Sequence, residues 1–275
     1  MDRISVVITC YKEGELLRRA FASLEKQTDR DFEILVVNDA SLDGVTNEIC
    51  RELEEKKKAR IIWHEKKSGL SAARNSGYEA IEGDICVPLD ADDTLPQAAI
   101  AAIRNGFRKA PEADFIFGNY IRREPEKGIE KLIDCSVLCS HDGFLNPRYL
   151  AAHNWILYGG SPCRKSLWRR IGGYLQEFSY DGQDVDFWMR ALISGARGCY
   201  INHTIYEWAR SKTGMNYNVP KERWLQVYIN NILFFDRFGN GIKARMKFIY
   251  QYISIGKFKK AQELAQQMIK LLFSP

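Results

Sequence analysis

The first hundred residues alternate between short apolar runs and longer segments whose apolar positions recur at helical spacing. The apolar runs predict buried strands at 4–11, 32–39, 60–65 and 84–90. The segments between them predict helices over 13–27, 45–59 and 68–81. Repeated strand–helix order is typical of an α/β fold, a mostly parallel sheet flanked by helices. In the third helix, Ser68 or Ser71 is a candidate N-cap.

The pattern changes after residue 112. ADFIFGNYIRR predicts a further strand over 113–123, whereas the stretch 124–160 has mixed charge and several turn signals. From Pro220 onward the chain is helical in period, basic and rich in aromatic residues. We therefore predict one α/β domain over residues 1–214 and a C-terminal helical extension over 215–275.

Polar side chains follow three of the predicted strands. Thr9 and Tyr11 close the first strand, Asp39 closes the second, and Asp90 and Asp92 follow the fourth. In parallel sheets, ligands bind just beyond the carboxyl ends of the strands. These residues are therefore expected to converge on one crevice.

The segment VPLDADD places three carboxylates within four positions, where they repel one another unless a positive partner is present. A hard divalent cation such as Mg²⁺ or Mn²⁺ would neutralise them and also accept diphosphate oxygens. The alternative is a polar turn in which Asp93 or Thr94 caps the following helix. The buried strand before the cluster and the residues that converge with it favour the metal site.

Other candidates have a structural alternative of equal weight. Asp39 could be a turn residue or could hydrogen-bond a base or ribose. Tyr11 could stack on a base or simply be half-buried, as tyrosines after strands often are. Arg74 is suited to a phosphate or a base, and otherwise to a surface salt bridge.

A second acidic set lies in YDGQDVDFWMR, where Asp184 and Asp186 open a predicted helix. Carboxylates at a helix start are favoured by the helix dipole, which is a sufficient structural reason for them. One of them in a crevice could instead act as a general base toward an incoming hydroxyl. His203 lies on a predicted strand, and we expect a structural role for it.

Composition narrows the class of protein. The chain is 45% hydrophobic and 27% charged over 275 residues, as expected of a soluble globular protein. A net charge of +5 is too mild to indicate nucleic acid, although it suits an anionic substrate or membrane surface. Seven cysteines without a C-x-x-C pair fit a reducing cytosol. With no targeting segment or membrane span in the pattern, we expect a cytoplasmic protein, at most peripheral at the inner face of the membrane.

Five segments, in this order and at suitable spacing, resemble the motifs of the family 2 inverting glycosyltransferases with the GT-A fold. They are SVVITCYKEGELLRRAFASLEKQT, EILVVNDASLDG, GLSAARNSG, VPLDADD and IGGYLQEFSYDGQDVDFWMRALISG. The resemblance covers about residues 3–213, so it implies a GT-A catalytic domain over 1–214. It also implies transfer of a sugar from a nucleotide-sugar to a hydroxyl acceptor, with inversion at the anomeric carbon.

The resemblance implies roles at the donor end of the site. Thr9 and Tyr11 would lie against the nucleoside, with Tyr11 stacked on the base and Asp39 hydrogen-bonded to it, typically to uracil. Arg74 would reach the base or diphosphate. Asp90 would contact the ribose or metal region.

It also implies the reacting groups. Asp92 would be the principal protein ligand of Mn²⁺ or Mg²⁺, and Asp184 would be the catalytic base, with Asp186 as an alternative. Arg210 is a candidate diphosphate contact in the segment 205–215. The family commonly has Glu before the base, where this chain has Gln183.

The donor implied is a UDP-sugar, with GDP or dTDP as alternatives, and the acceptor a glycan or lipid-linked glycan of cell-surface polysaccharide or lipopolysaccharide synthesis. A nucleotidyltransferase would need a Gly-rich basic loop after the first strand, where this chain has TCYKEGE. A binding protein without catalysis would have lost the metal or base carboxylates, which are present. The C-terminal helices could dock on the catalytic domain, form a homodimer or lie on an anionic membrane.

Overall fold

A computed structural model describes residues 3–153, 157–179, 181–211, 214 and 219–273. Among these residues one sheet runs through the molecule. Its strands are β1 (Ile4–Cys10), β2 (Phe32–Asn38), β3 (Arg60–Trp63), β4 (Ile85–Asp90), β5 (Phe115–Glu124), β6 (Ile129–Ile133), β7 (Cys163–Arg164) and β8 (Gly198–Ala209).

The strands are ordered β3-β2-β1-β4-β7-β5-β6, with β8 paired to β5. The pairs β3-β2, β2-β1, β1-β4 and β5-β8 are parallel, and β6 and β7 pair in the antiparallel sense. The mostly parallel sheet expected from the sequence is confirmed. Its β1, β2 and β4 lie side by side, so the ends of these strands meet at one edge.

Helices follow most strands and cover the sheet. They are α1 (Glu15–Glu25), α2 (Gly44–Glu55), α3 (Leu70–Ala80), α4 (Ala99–Lys109), α5 (Pro147–Ala152), α6 (Lys165–Arg170) and α7 (Gln183–Ile193) in the α/β part, then α8 (Lys221–Asn230), α9 (Ile232–Phe238), α10 (Gly241–Ser254) and α11 (Phe258–Phe273). The residue before α3 is Gly69, and no side chain caps this helix. Neither Ser68 nor Ser71 is therefore the N-cap, and Ser71 is buried.

Helix α3 packs closely on β1 because Gly77 has no side chain. A Cβ at Gly77 would lie 2.3 Å from Cγ1 of Val7, which is closer than real Cβ atoms approach other atoms. The close approach brings α3, which carries Arg74, against the central strands of the sheet. All residues of β1 are buried, and so are those of β4 except Asp90 at its end, as expected of strands covered on both faces.

The C-terminal helices pack on the α/β part and on each other. Val227 of α8 and Phe234 of α9 belong to the main hydrophobic core. Leu225, on α8, joins Phe248 and Tyr252 of α10 in a second, smaller core. The C-terminal helices therefore pack on the α/β part. The predicted boundary at residue 214 is followed by residues 215–218, which lie outside the described part. Within the described residues, every helix is too short or too polar to span a bilayer.

Candidate functional site

Two neighbouring cavities lie at the carboxyl ends of β1, β2 and β4. The larger, of about 460 Å³, is lined by residues that include Thr9, Tyr11, Glu13, Asp39, Asp90, Asp92 and Arg210. The smaller, of about 260 Å³, is lined by residues that include Arg74, Asp90, Gln183, Asp184, Trp208, Arg210 and Trp224. Both cavities are lined by Asp90, Asp93, Gln183, Trp208 and Arg210, so they form one site. The structure thus brings together the residues that the sequence selected for the site, apart from the alternative base Asp186.

One end of the larger cavity is formed by Tyr11 and Asp39. The Tyr11 ring is half-buried, and the Lys67 ammonium lies 3.9 Å from its centroid. Such a cation over an aromatic face is attracted by the ring quadrupole. The Lys67 ammonium therefore places a positive charge over the Tyr11 ring in the cavity that both residues line.

Asp39 is buried and organises the loop that leads into α3. Its Oδ1 accepts hydrogen bonds from the Ser68 backbone N–H and from His64 Nδ1, both at 2.8 Å. Its Oδ2 accepts one from the Gly69 backbone N–H at 2.8 Å. The carboxylate therefore holds the start of α3 while it also lines the cavity. Whether it contacts a base remains a prediction.

Asp90 ends β4 and is paired with a buried arginine. Arg74 Nη2 donates to both Asp90 oxygens, at 2.9 and 3.0 Å, and the Arg74 side chain is only 4% exposed. Thr9 Oγ1 also donates to Asp90 Oδ1, at 3.3 Å. Arg74 lines the smaller cavity, so its predicted contact with a nucleotide would come from that side.

Asp92 and Glu13 carry carboxyl groups with raised pKa values. Burial, and then the neighbouring Asp90 charge, raise the pKa of Asp92 to about 6. Burial raises the pKa of Glu13 to about 7, with a further contribution from Asp92, although the Tyr11 backbone N–H hydrogen-bonded to Glu13 opposes it. Each side chain would ionise more readily with a cation beside it.

The residues present fit a divalent ion that a ligand helps to hold. Among the described residues there is no group of three or more His, Cys, Asp or Glu that could bind a metal by itself. The Asp92 carboxylate nevertheless lines the cavity, and a hard cation prefers such oxygen ligands. An ion at Asp92 would therefore take most of its ligands from a bound diphosphate and from water.

Asp93 has a different task from its two neighbours. Its Oδ2 accepts a hydrogen bond from the Tyr206 hydroxyl at 2.8 Å, and its Oδ1 accepts one from the Ala209 backbone N–H at 2.7 Å. Thr94 donates to Glu207 at 2.6 Å. Helix α4 begins after Ala98 without a side-chain cap, so the alternative of Asp93 or Thr94 as its cap is wrong. The two residues instead fix the end of β8, which is followed by Arg210.

Asp184 lies in the first turn of α7. Burial raises its pKa, the Arg74 charge opposes that rise, and Oδ1 accepts a hydrogen bond from the Val185 backbone N–H. A Cβ at Gly159 would lie 3.3 Å from Asp184 Oδ2 and 3.4 Å from Arg74 Nη1. The backbone at Gly159 therefore lies against both side chains, and a larger residue there would crowd them.

The contacts of Asp186, the alternative base, give it a structural role. It is 1% exposed, Arg190 Nε donates to its Oδ2 at 2.8 Å, and Asn231 Nδ2 donates to its Oδ1 at 2.8 Å. Because both oxygens are occupied, Asp186 ties α7 to the C-terminal helices. It lines neither cavity among the described residues.

Some members of the site were missed by the sequence reasoning. Glu13 follows Tyr11 by two positions, so the strand-end rule that selected Tyr11 could have found it. Trp208 on β8 and Trp224 on α8 also line the site, but they lie far along the chain and no local sequence pattern indicates this role. His203, for which a structural role was expected, is exposed on β8 and lines neither cavity. In the segment 205–215, residues 212, 213 and 215 lie outside the described part.

Comparison with known proteins identifies what this arrangement is similar to. The model of Glycosyl transferase family 2 matches residues 5–167. The glycosyltransferase GlyA of Streptococcus pneumoniae serotype 4 is 26% identical over 245 residues, which is 83% of this chain and 33% of GlyA. The chain spans less than half the length of the curated relatives it matches first.

Two solved structures share the fold. S. aureus TarS 1-349 in complex with UDP-GlcNAc superposes with a TM-score of 0.72 at 17% identity, covering 92% of this chain and 73% of TarS 1-349. The mannosyltransferase PcManGT from Pyrobaculum calidifontis, in complex with GDP-Man and Mn²⁺, gives a TM-score of 0.60 at 18% identity, covering 100% of this chain and 81% of PcManGT. These structures confirm the GT-A fold expected from the sequence.

Proposed function

Because the chain belongs to glycosyl transferase family 2 and is a glycosyltransferase, we propose that it transfers a sugar from a UDP-sugar to a hydroxyl acceptor with inversion. The observation that carries this proposal is the pair of joined cavities. Tyr11 and Asp39 lie in one cavity, Asp184 lies in the other, and Asp90 lines both. A nucleoside, a diphosphate and a sugar follow one another in that order in the donor.

Asp92 is the residue we assign to a divalent metal, Mn²⁺ or Mg²⁺. When bound, the ion would offset the negative charge that grows on the departing nucleoside diphosphate. To Arg210, which lines both cavities, we assign a second positive charge near the diphosphate. Support for the metal comes from PcManGT, whose complex contains Mn²⁺.

Asp184 is the general base in this proposal. Its raised pKa makes the carboxylate a better proton acceptor near neutral pH than an exposed aspartate. It would take the proton of the acceptor hydroxyl while that oxygen bonds to the anomeric carbon. The bond from that carbon to the diphosphate oxygen breaks on the opposite face, so one displacement inverts the configuration. Asp186 is unsuited to act as the base, because its two oxygens already accept hydrogen bonds from Arg190 and Asn231.

The two solved structures that share the fold contain different nucleotide-sugars. The TarS structure contains UDP-GlcNAc and the PcManGT structure contains GDP-Man. We assign UDP, with Tyr11 stacked on the base, Asp39 hydrogen-bonded to it, and Thr9 and Asp90 beside the ribose. The acceptor we assign is a glycan or lipid-linked glycan of a cell-surface polymer.

In this proposal the enzyme is cytoplasmic and rests on the membrane through an exposed stripe on α10. Ile242, Met246, Tyr250 and Ile253 recur every three or four residues and are 45%, 58%, 72% and 46% exposed. The exposed side chains of Lys243 and Lys247 lie beside them on the same helix. Apolar residues flanked by lysines bind an anionic bilayer surface, which is where a lipid-linked acceptor is found. A homodimer through the same stripe is the competing assignment.

The reaction is tested by incubating the purified chain with single UDP-sugars, Mn²⁺ and candidate acceptors, and measuring the UDP released. The proposal expects acceptor-dependent release with at least one UDP-sugar and none with EDTA. The anomeric configuration of the product, read by NMR, tests inversion. Turnover with GDP-sugars alone would contradict the assigned nucleotide, and a product of retained configuration would contradict the mechanism.

A further inference from the structure

We propose that His64 sets the base specificity of this site by occupying one acceptor position of Asp39. Asp39 then has room for a single N–H donor, which selects uracil over guanine. The inference rests on the proposed function, because it assumes that a nucleotide base lies against Asp39. It assigns to His64 the role of a positioning residue that acts through Asp39.

The Asp39 carboxylate is nearly filled by the protein. A carboxylate has about four lone-pair positions for hydrogen bonds. Oδ1 accepts from the Ser68 backbone N–H and from His64 Nδ1, and Oδ2 accepts from the Gly69 backbone N–H. That leaves one position, on Oδ2, for a ligand in the larger cavity that Asp39 lines.

His64 is itself held in place from two sides. A carboxylate can only accept, so Nδ1 carries the proton that it shares with Asp39 at 2.8 Å. Nε2 lies 2.9 Å from the Ser76 hydroxyl, within hydrogen-bond distance. The His64 backbone N–H also donates to the Asn38 carbonyl at 2.9 Å. With only 14% of its side chain exposed, the ring has little freedom to leave Asp39.

The bases differ in what they offer to one remaining acceptor. Uracil presents one ring N–H between two carbonyl oxygens, and thymine presents the same edge. Guanine presents a ring N–H beside an amino group, which is a pair of donors suited to both oxygens of a free carboxylate. Here Oδ1 is already occupied, so one guanine donor would be left without a partner on Asp39. A site that leaves a buried polar group unpaired discriminates strongly against that ligand.

The experiment compares the dissociation constants of UDP and GDP, measured by calorimetry with Mn²⁺, for four proteins. These are the wild type, His64→Ala, His64→Asn and the matched control His203→Ala at an exposed position. Asn can place an amide N–H near the position of Nδ1, so it serves as the conservative variant. Thermal unfolding of each protein shows whether it is folded.

We expect the wild type and His203→Ala to prefer UDP over GDP by about tenfold or more. In His64→Ala the Asp39 carboxylate can turn, so binding of UDP should weaken more than binding of GDP, and the preference for UDP should fall toward unity. His64→Asn should retain most of the preference. Equal weakening of both nucleotides in His64→Ala would mean a purely structural His64 and would overturn the inference alone. A wild type that binds GDP as well as UDP would overturn it too. Binding of neither nucleotide to the wild type would overturn the proposed donor site along with the inference.

Discussion

Arg74 donates from one terminal nitrogen to both carboxylate oxygens of Asp90, at 2.9 and 3.0 Å. The cluster VPLDADD is therefore only partly compensated by the protein itself. Asp90 has Arg74, and Asp93 accepts bonds from Tyr206 and Ala209. Asp92 keeps a pKa raised to about 6 by burial and the Asp90 charge. Burial, and then the Asp92 and Asp90 charges, raise the pKa of Asp93 still further, but both of its oxygens already accept hydrogen bonds. Asp92 is therefore the carboxylate assigned to the metal.

Two substitutions in this cluster should have opposite effects on the stability of the metal-free protein. Asp90→Asn leaves the buried Arg74 without its partner and should cost about 2–4 kcal/mol of unfolding free energy. Asp92→Asn removes a carboxylate whose pKa is raised on folding, so it should stabilise by about 1–2 kcal/mol at about pH 8. The gain should shrink as the pH falls below about 6, where folded Asp92 takes up its proton, and it should vanish near about pH 4, where the unfolded chain is protonated as well. Urea unfolding at about pH 8 and about pH 4 measures this, and a destabilised Asp92→Asn at the higher pH would contradict the account.

Metal-dependent binding of UDP should strengthen as the pH rises. The pKa of Asp92 is raised to about 6 and that of Glu13 to about 7, so both groups hold protons below these values. A divalent ion requires the ionised carboxylate, and its binding releases protons. The affinity measured with Mn²⁺ should therefore rise between about pH 5 and about pH 8. Calorimetry in buffers of different ionisation enthalpy would count the protons released, and a flat pH profile would count against the metal at Asp92.

Asp184 and Asp186 should separate into a catalytic and a structural residue. Asp184→Asn should lower kcat by about 10²–10⁴-fold with UDP binding retained, because it removes the base and keeps the shape. Asp186→Asn should instead lower the unfolding free energy, because it weakens the bonds to Arg190 and Asn231. Turnover, UDP affinity and urea unfolding of both variants provide the comparison. Loss of turnover in a stably folded Asp186→Asn, with Asp184→Asn active, would reverse the assignment.

The stripe on α10 should be needed for binding to anionic membranes. Met246→Glu and Tyr250→Glu place charges among exposed apolar residues and should abolish co-sedimentation with phosphatidylglycerol vesicles. Leu132→Glu, at a position 55% exposed on β6, is the matched control and should bind as the wild type does. Turnover with a small soluble acceptor should be unchanged in all three. If the α10 variants change the oligomeric state instead, the stripe is a dimer contact.

The sequence was sufficient where local pattern and strand direction decide the outcome. Thr9, Tyr11, Asp39 and Asp90 come together because β1, β2 and β4 are parallel and adjacent, so their ends meet. It was insufficient where a partner far along the chain decides the role. Asp184 and Asp186 look alike in the sequence, and Asn231 on the C-terminal helices is among the residues that distinguish them.

Partners far along the chain also explain the other differences between the sequence prediction and the structure. Asp93 is a residue type that often caps helices, yet it accepts hydrogen bonds from Tyr206 and Ala209 on β8, more than a hundred residues later. His64 is an ordinary strand-end histidine until the loop at Ser68 folds back on Asp39. Long-range contacts of this kind leave no periodicity in the sequence, because each side chain is specified by a neighbour that the chain reaches only on folding.

The central claim is that UDP and a divalent ion bind together at Asp92. Calorimetric titration of UDP into the wild type and Asp92→Asn, each with Mn²⁺ and with EDTA, tests it most directly. The account predicts binding to the wild type that requires Mn²⁺ and is lost in the variant. Equal affinity with Mn²⁺ and with EDTA, or unchanged Mn²⁺-dependent binding in Asp92→Asn, would contradict it.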